Sequence, residues 1–211
     1  MSKELNKPIK TPKGDLMYVY ITGDGKNTAM PGEPERNQFV ASVKLNKNSE
    51  EFKLFKQQID KVWIPYKEKY KIKGAPDTTG YKVLKEEHPT DKDEYGDPIM
   101  VESDDVIITF KTNLTFPDGK EKKVKVFQPS GADVTSAIHA ADWTIGNGSK
   151  GIIHGVASPN NVGGSHKVSL YLDAVQFAGE IIKYTGTDIE VDSIEGTNDL
   201  ELDVPMDDVE V

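Results

Sequence analysis

Apolar and polar residues alternate over residues 16–21, with Met17, Val19 and Ile21 on one face and Tyr18 and Tyr20 on the other, which predicts a half-buried strand. A polar loop rich in Gly and Pro over 22–35 separates it from a second predicted strand over 38–45. The period then changes. Phe52, Phe55, Ile59, Val62 and Trp63 recur at helical spacing, Asn48 with Glu51 supplies a helix start, and Pro65 is expected to end or kink the helix near Ile64. The stripe reads as a core-facing surface, which assigns Trp63 to packing rather than to base stacking.

Residues 71–104 mix Lys, Asp, Glu, Gly and Pro with few apolar positions, so they read as a long inserted loop. The clearest β signal follows, where Val106, Ile108, Phe110, Leu114 and Phe116 alternate with Thr109, Lys111, Asn113 and Thr115. Pro117-Asp118-Gly119 supplies the turn of a hairpin, and on its return strand Val124 and Val126 share one face while Lys123, Lys125 and Phe127 share the other. Two further strands are expected over 150–157 and 166–177, joined by a turn at 158–164. In the last, Val168, Leu170 and Leu172 point inward and Lys167, Ser169 and Tyr171 outward. The pattern as a whole is mainly β with one amphipathic helix, which suits a small barrel or a sandwich.

Charge divides the chain in two. Of its 35 acids and 26 bases, residues 187–211 hold ten acids and no base, which leaves 25 acids against 26 bases in residues 1–186. A block of like charge does not collapse onto a core, so the division predicts a domain over 1–186 and an acidic flexible tail over 187–211. With no Cys there is no disulfide framework and no thiolate ligand, and no apolar run reaches the ~18 residues of a membrane span. The start, MSKELNKPIK, lacks the apolar stretch of a secretory signal, so the expected setting is intracellular.

Catalytic motifs fail on context. Residues 146–151 spell G-x-G-x-x-G, but a strand rather than a helix is expected after them, and Gly25-Lys26 lacks the flanking residues of a P-loop. His88, His139, His154 and His166 show no paired ligand spacing, and neither Asp104-Asp105 nor Asp207-Asp208 comes with a base or nucleophile. No metal, cofactor or reaction is implied. What remains is an outward β surface on which Lys111, Lys123, Lys125, Lys150 and Lys167 are interleaved with Tyr18, Tyr20, Phe127 and Tyr171. Cations that track phosphates and flat rings that stack unpaired bases suit single-stranded nucleic acid. The same faces also fit a β-sandwich structural or carbohydrate-binding protein with solvated lysines.

Several segments taken in order carry a resemblance: LMYVYI (16–21), FVASVKLNK (39–47) leading into the helix, ITFKTNLTF (108–116) with its PDGKEKK turn, IGNGSK (145–150), HKVSLYLDAVQF (166–177) and the acidic terminus. The chain resembles the single-stranded DNA-binding proteins of tailed bacteriophages. That resemblance implies an OB-fold-like five-stranded barrel that coats single-stranded DNA during phage replication and recombination in the host cytoplasm, without catalysis or cofactor. It further implies that the tail, here Asp199, Glu201, Asp203, Asp207, Asp208 and Glu210, contacts replisome proteins such as polymerase and helicase/primase, assists formation of a homodimer and modulates DNA affinity. Strand annealing is the alternative activity it suggests. Two departures stand out. Residues 158–160 are Ser-Pro-Asn where related sequences carry aromatics, which moves expected stacking to Trp143 or Tyr171, and the chain ends in Val211 rather than a ring. The predicted helix also follows the second strand, whereas an OB barrel usually places its helix between strands three and four.

Overall fold

The computed structural model describes residues 5–185, so the tail and its boundary lie outside the described residues. The elements in chain order are β1 (Lys7–Lys10), β2 (Gly14–Tyr20), β3 (Lys26–Asn27), β4 (Asn37–Asn46), α1 (Glu50–Lys69), β5 (Tyr81–Lys92), β6 (Pro98–Asn113), β7 (Lys125–Phe127), α2 (Thr135–His139), β8 (Thr144–Ile145), β9 (Lys150–Val162), β10 (Ser165–Phe177) and β11 (Lys183–Tyr184).

Five of these strands close on themselves. β9, β2, β4, β6 and β10 each pair with the next, and β10 pairs back onto β9. All junctions are antiparallel except β6 with β10, a parallel seam whose register is the single pair Tyr171 and Lys111. This is the closed five-stranded ring of an OB-fold. Its interior is filled by alternate residues, among them Leu16, Val43, Ile108, Phe110, Ile153, Leu172 and Phe177, all essentially buried. β9 passes so close over β10 that a Cβ at Gly155 would collide with the Tyr171 carbonyl, so only glycine fits there.

α1 lies between the second and third barrel strands in sequence, as its position in the chain predicted, and packs against β1, β9 and β10. The cap is Ser49, one residue later than expected, whose hydroxyl accepts from the Phe52 amide at 3.2 Å. Phe52, Phe55, Ile59, Val62, Trp63 and Tyr66 form the buried stripe, and the Trp63 indole donates to the Gly74 carbonyl at 3.3 Å. The helix does not end near Ile64 but runs through Pro65 to Lys69. Pro65 sits on the exposed face, where water can serve the carbonyl that loses its partner, and buried Tyr66 holds the last turn down.

The excursion at 71–104 is not a loop. Asp77, Thr78 and Gly80 first cross the barrel seam through Asp77 N–H to the His166 carbonyl (2.7 Å), Val168 N–H to the Thr78 carbonyl (3.0 Å) and Thr109 N–H to the Gly80 carbonyl (2.7 Å). β5 and β6 then pair as a long antiparallel hairpin whose tip is turned by Asp93, its Oδ1 accepting from the Tyr95 and Asp97 amides at 2.9 and 3.0 Å. Both faces of its distal half meet solvent, so no period-two apolar signal exists to be read. The hairpin expected after Phe116 is also revised. The turn at 117–119 forms, with Phe116 N–H on the Lys120 carbonyl, but β7 leaves β6 and lies parallel to β10 at Ala174–Gln176. Likewise β9 extends through Ser158 to Val162, leaving Gly163 and Gly164 as the turn.

Candidate nucleic-acid interface

Residues opposed across a ladder share a face, so the register places Tyr20, Val40, Lys111 and Tyr171 on one rung of the barrel's outer face that crosses β2, β4, β6 and β10, with Val40 itself buried. Lys26, Gln38 and Asn113 form the rung on one side, where Gln38 Nε2–H donates a hydrogen bond to Asn113 Oδ1 at 2.9 Å. Met17, Ser42 and Thr109 form the rung on the other, with Ser42 and Thr109 hydroxyls 2.9 Å apart. Where β6 and β10 splay from their one contact, a groove of about 730 Å³ opens, walled by Lys82, Lys111, Lys122, Lys167, Phe116 and Tyr171.

Most cations of this face lack an acidic partner. Among the described residues Lys26, Arg36, Lys82, Lys111 and Lys167 have no carboxylate within ion-pair distance. The groove wall desolvates the Lys111 ammonium, and Arg36 and Lys26 add repulsion, so its pKa is held below the usual lysine value. Lys122 is more enclosed; its ammonium donates to Thr112 Oγ1 at 2.6 Å, lies 4.0 Å from Asp173 and stands over the Phe116 ring. Tyr18, Tyr20, Phe116 and Tyr171 expose 45, 40, 48 and 42 % of their surface, and the Lys26 ammonium stands 5.5 and 5.2 Å from the centroids of Tyr18 and Tyr20. Unpaired positive charge beside exposed rings is chemistry that suits a polyanion with accessible bases.

No protein-family model matches the chain, and no curated protein matches it in sequence. Solved structures do match in fold. gp2.5, a single-stranded DNA-binding protein encoded by bacteriophage T7, superposes with a TM-score of 0.56 at 16 % identity, covering 92 % of this chain and 99 % of that one. The single-stranded DNA-binding protein from bacteriophage Enc34, solved in complex with single-stranded DNA, superposes at 0.52 with 15 % identity over 82 % of this chain and 86 % of its own. The chain has the fold of phage single-stranded DNA-binding proteins.

On that frame the residues expected from sequence separate into groups. Lys111, Lys167 and Tyr171 share the groove, and Tyr18 and Tyr20 form a shelf beside it with Asn147 and Tyr184. Lys123 and Lys125 line a different, shallow surface with Asp133 and α2, and Phe127 is half-buried opposite Asp133. Lys150 is ion-paired with Asp15. Trp143 packs partly into the core, with the Lys183 ammonium 4.9 Å from its ring. Sequence reasoning missed Lys26, Arg36, Lys82, Phe116 and Lys122. Lys26 lies within the Gly/Pro loop and Arg36 at its end, where no periodicity assigns a face. Phe116 continues the apolar alternation on paper, but the strand ends at Asn113 and the ring is exposed in the turn. The four histidines stay apart, and among the described residues no three His, Asp or Glu side chains gather as metal ligands.

Proposed function

We propose that this protein binds single-stranded DNA without regard to sequence and coats it during phage replication and recombination. The observation that carries the reading is the rung from Tyr20 through Lys111 to Tyr171, flanked by cations that no carboxylate neutralises among the described residues. Phosphates track Lys26, Arg36, Lys82, Lys111 and Lys167, while unpaired bases stack on Tyr18, Tyr20, Tyr171 and Phe116. Stacking uses the π face that every base has, which makes the binding indifferent to sequence, and it needs unpaired bases, which disfavours duplex. The likeness to two phage proteins described as single-stranded DNA-binding supports the same reading. The role is non-catalytic, since binding alone accounts for the surface.

The tail completes the proposal. Ten acids without a base, over residues 187–211, make an arm that competes with DNA for the cationic face and, when displaced, offers Asp199, Glu201, Asp203, Asp207, Asp208 and Glu210 to replisome proteins. The test is a titration of a labelled oligothymidylate with the full chain and with a form ending at Gly186, at low and moderate salt, with duplex as competitor. Tighter binding by the shorter form, resistant to duplex, is expected. If neither form binds, the DNA-binding reading falls; if both bind equally, only the competing role of the tail falls.

A further inference from the structure

The phase of β2 changes at Tyr18. Leu16 is fully buried, yet Tyr18 and Tyr20, two and four residues on, are exposed, while Val19 and Ile21 are buried. In an unbroken strand side chains two apart share a face, so a buried Leu16 would carry both tyrosines into the core. The register with β4 shows what intervenes: Met17 opposes Ser42 and Tyr20 opposes Val40, so β2 takes one step more than its partner. Tyr18 is the extra residue of a bulge, and its φ of 53° lies in the left-handed region that a side chain enters at a cost. Its backbone N–H donates to Asn147 Oδ1 at 2.7 Å.

Asn147 is itself held in place. The Gly148 N–H donates to the Leu16 carbonyl at 2.9 Å, the Leu16 N–H donates to the Ser149 carbonyl at 2.7 Å, and the Ser149 hydroxyl donates to the Gly146 carbonyl at 2.8 Å. Residues 146–149 are therefore fastened to β2 just before the bulge and deliver one acceptor to it. We propose that Asn147 is the positioning residue of the aromatic shelf: by capturing the Tyr18 amide it holds the bulge that turns Tyr18 and Tyr20 outward to stack bases while Leu16 keeps its place in the core. The inference rests on reading this face as the DNA-binding surface. Without the acceptor the Tyr18 amide loses its partner, and the two rings are no longer fixed in one orientation.

The test reads the bulge and the binding separately. In the free protein, hydrogen exchange at the Tyr18 amide, followed by NMR, is expected to quicken roughly fivefold in Asn147→Ala, the loss of one hydrogen bond, and to stay slow in Asn147→Asp, which keeps the acceptor. Asn147→Ala is also expected to weaken single-strand binding about fivefold with an unchanged salt slope, because stacking and not phosphate contact is lost. Its effect should shrink in a Tyr18→Gly background, which removes one of the two rings and suits the left-handed backbone, and should add to that of Lys111→Ala. Fast exchange at Tyr18 in the unaltered chain, or a loss fully additive with Tyr18→Gly, overturns the proposal. If the unaltered chain binds no single strand, the functional reading fails, while the exchange measurement still decides whether Asn147 holds the bulge.

Discussion

Lys111 shows how a single side chain ties the fold to the proposed binding. Desolvation by the groove wall, then Arg36 and Lys26, lower its pKa below the unfolded lysine value. Between those two values the unfolded chain holds more protons, so stability rises with pH through that window, and below it the cost of the charge is fully present. A bound phosphate acts the other way and restores the proton. DNA affinity is therefore expected to fall as pH rises into that window, and the fall should be smaller in Lys111→Ala; equal pH dependence in the two would remove Lys111 from the contact. Tyr171 is the stacking counterpart proposed for it, and Tyr171→Ala should cost about 1–3 kcal/mol of single-strand affinity at an unchanged salt slope. Alternation along residues 166–177 already turned Lys167 and Tyr171 outward, and the structure agrees. It could not reveal Phe116, whose exposure depends on where the ladder with β4 stops.

Among the elements, α1 was the most legible, because a stripe repeated over several turns has one face to bury. Its end was not, since Pro65 interrupts one backbone bond without removing the packing of Tyr66. Ser49→Ala should cost about 1 kcal/mol through the lost cap bond to Phe52, seen as a lower Tm. An unchanged Tm would assign helix stability to the stripe alone. The β5–β6 hairpin was invisible to periodicity because its distal strands bury neither face. Between Glu86 and Val101 it carries Glu87, Asp91, Asp93, Glu94 and Asp97 against the single base Lys92. Replacing 87–100 with an Asn-Gly turn should leave the barrel folded and tighten single-strand binding at low salt, as anionic charge is removed from the hairpin that carries Lys82 at its base. Loss of binding in a folded variant would make the hairpin part of the interface.

Across the whole molecule, the near balance of charge over residues 1–186 conceals a separation: unpaired cations gather on the barrel's outward face, while the hairpin and the sequence of the tail are acidic. The mainly β architecture was readable from period-two alternation. Its closure was not, because periodicity assigns faces and never partners, so neither the parallel seam of β6 with β10 nor the departure of β7 to β10 could be foreseen. The same limit explains why Lys123 and Lys125, correctly outward, lie with α2 rather than in the groove. DNA bound as proposed runs across the rung of Lys111 and Tyr171. The most direct test of this path is the salt dependence of single-strand binding by the unaltered chain, by Lys111→Ala with Lys167→Ala, and by Lys123→Ala with Lys125→Ala. The groove pair is expected to weaken binding and flatten the log–log slope by about 0.7 per lysine, with a smaller change for the flanking pair. A slope unchanged in the groove pair but flattened in the flanking pair would contradict this path and move the interface to β7 and α2.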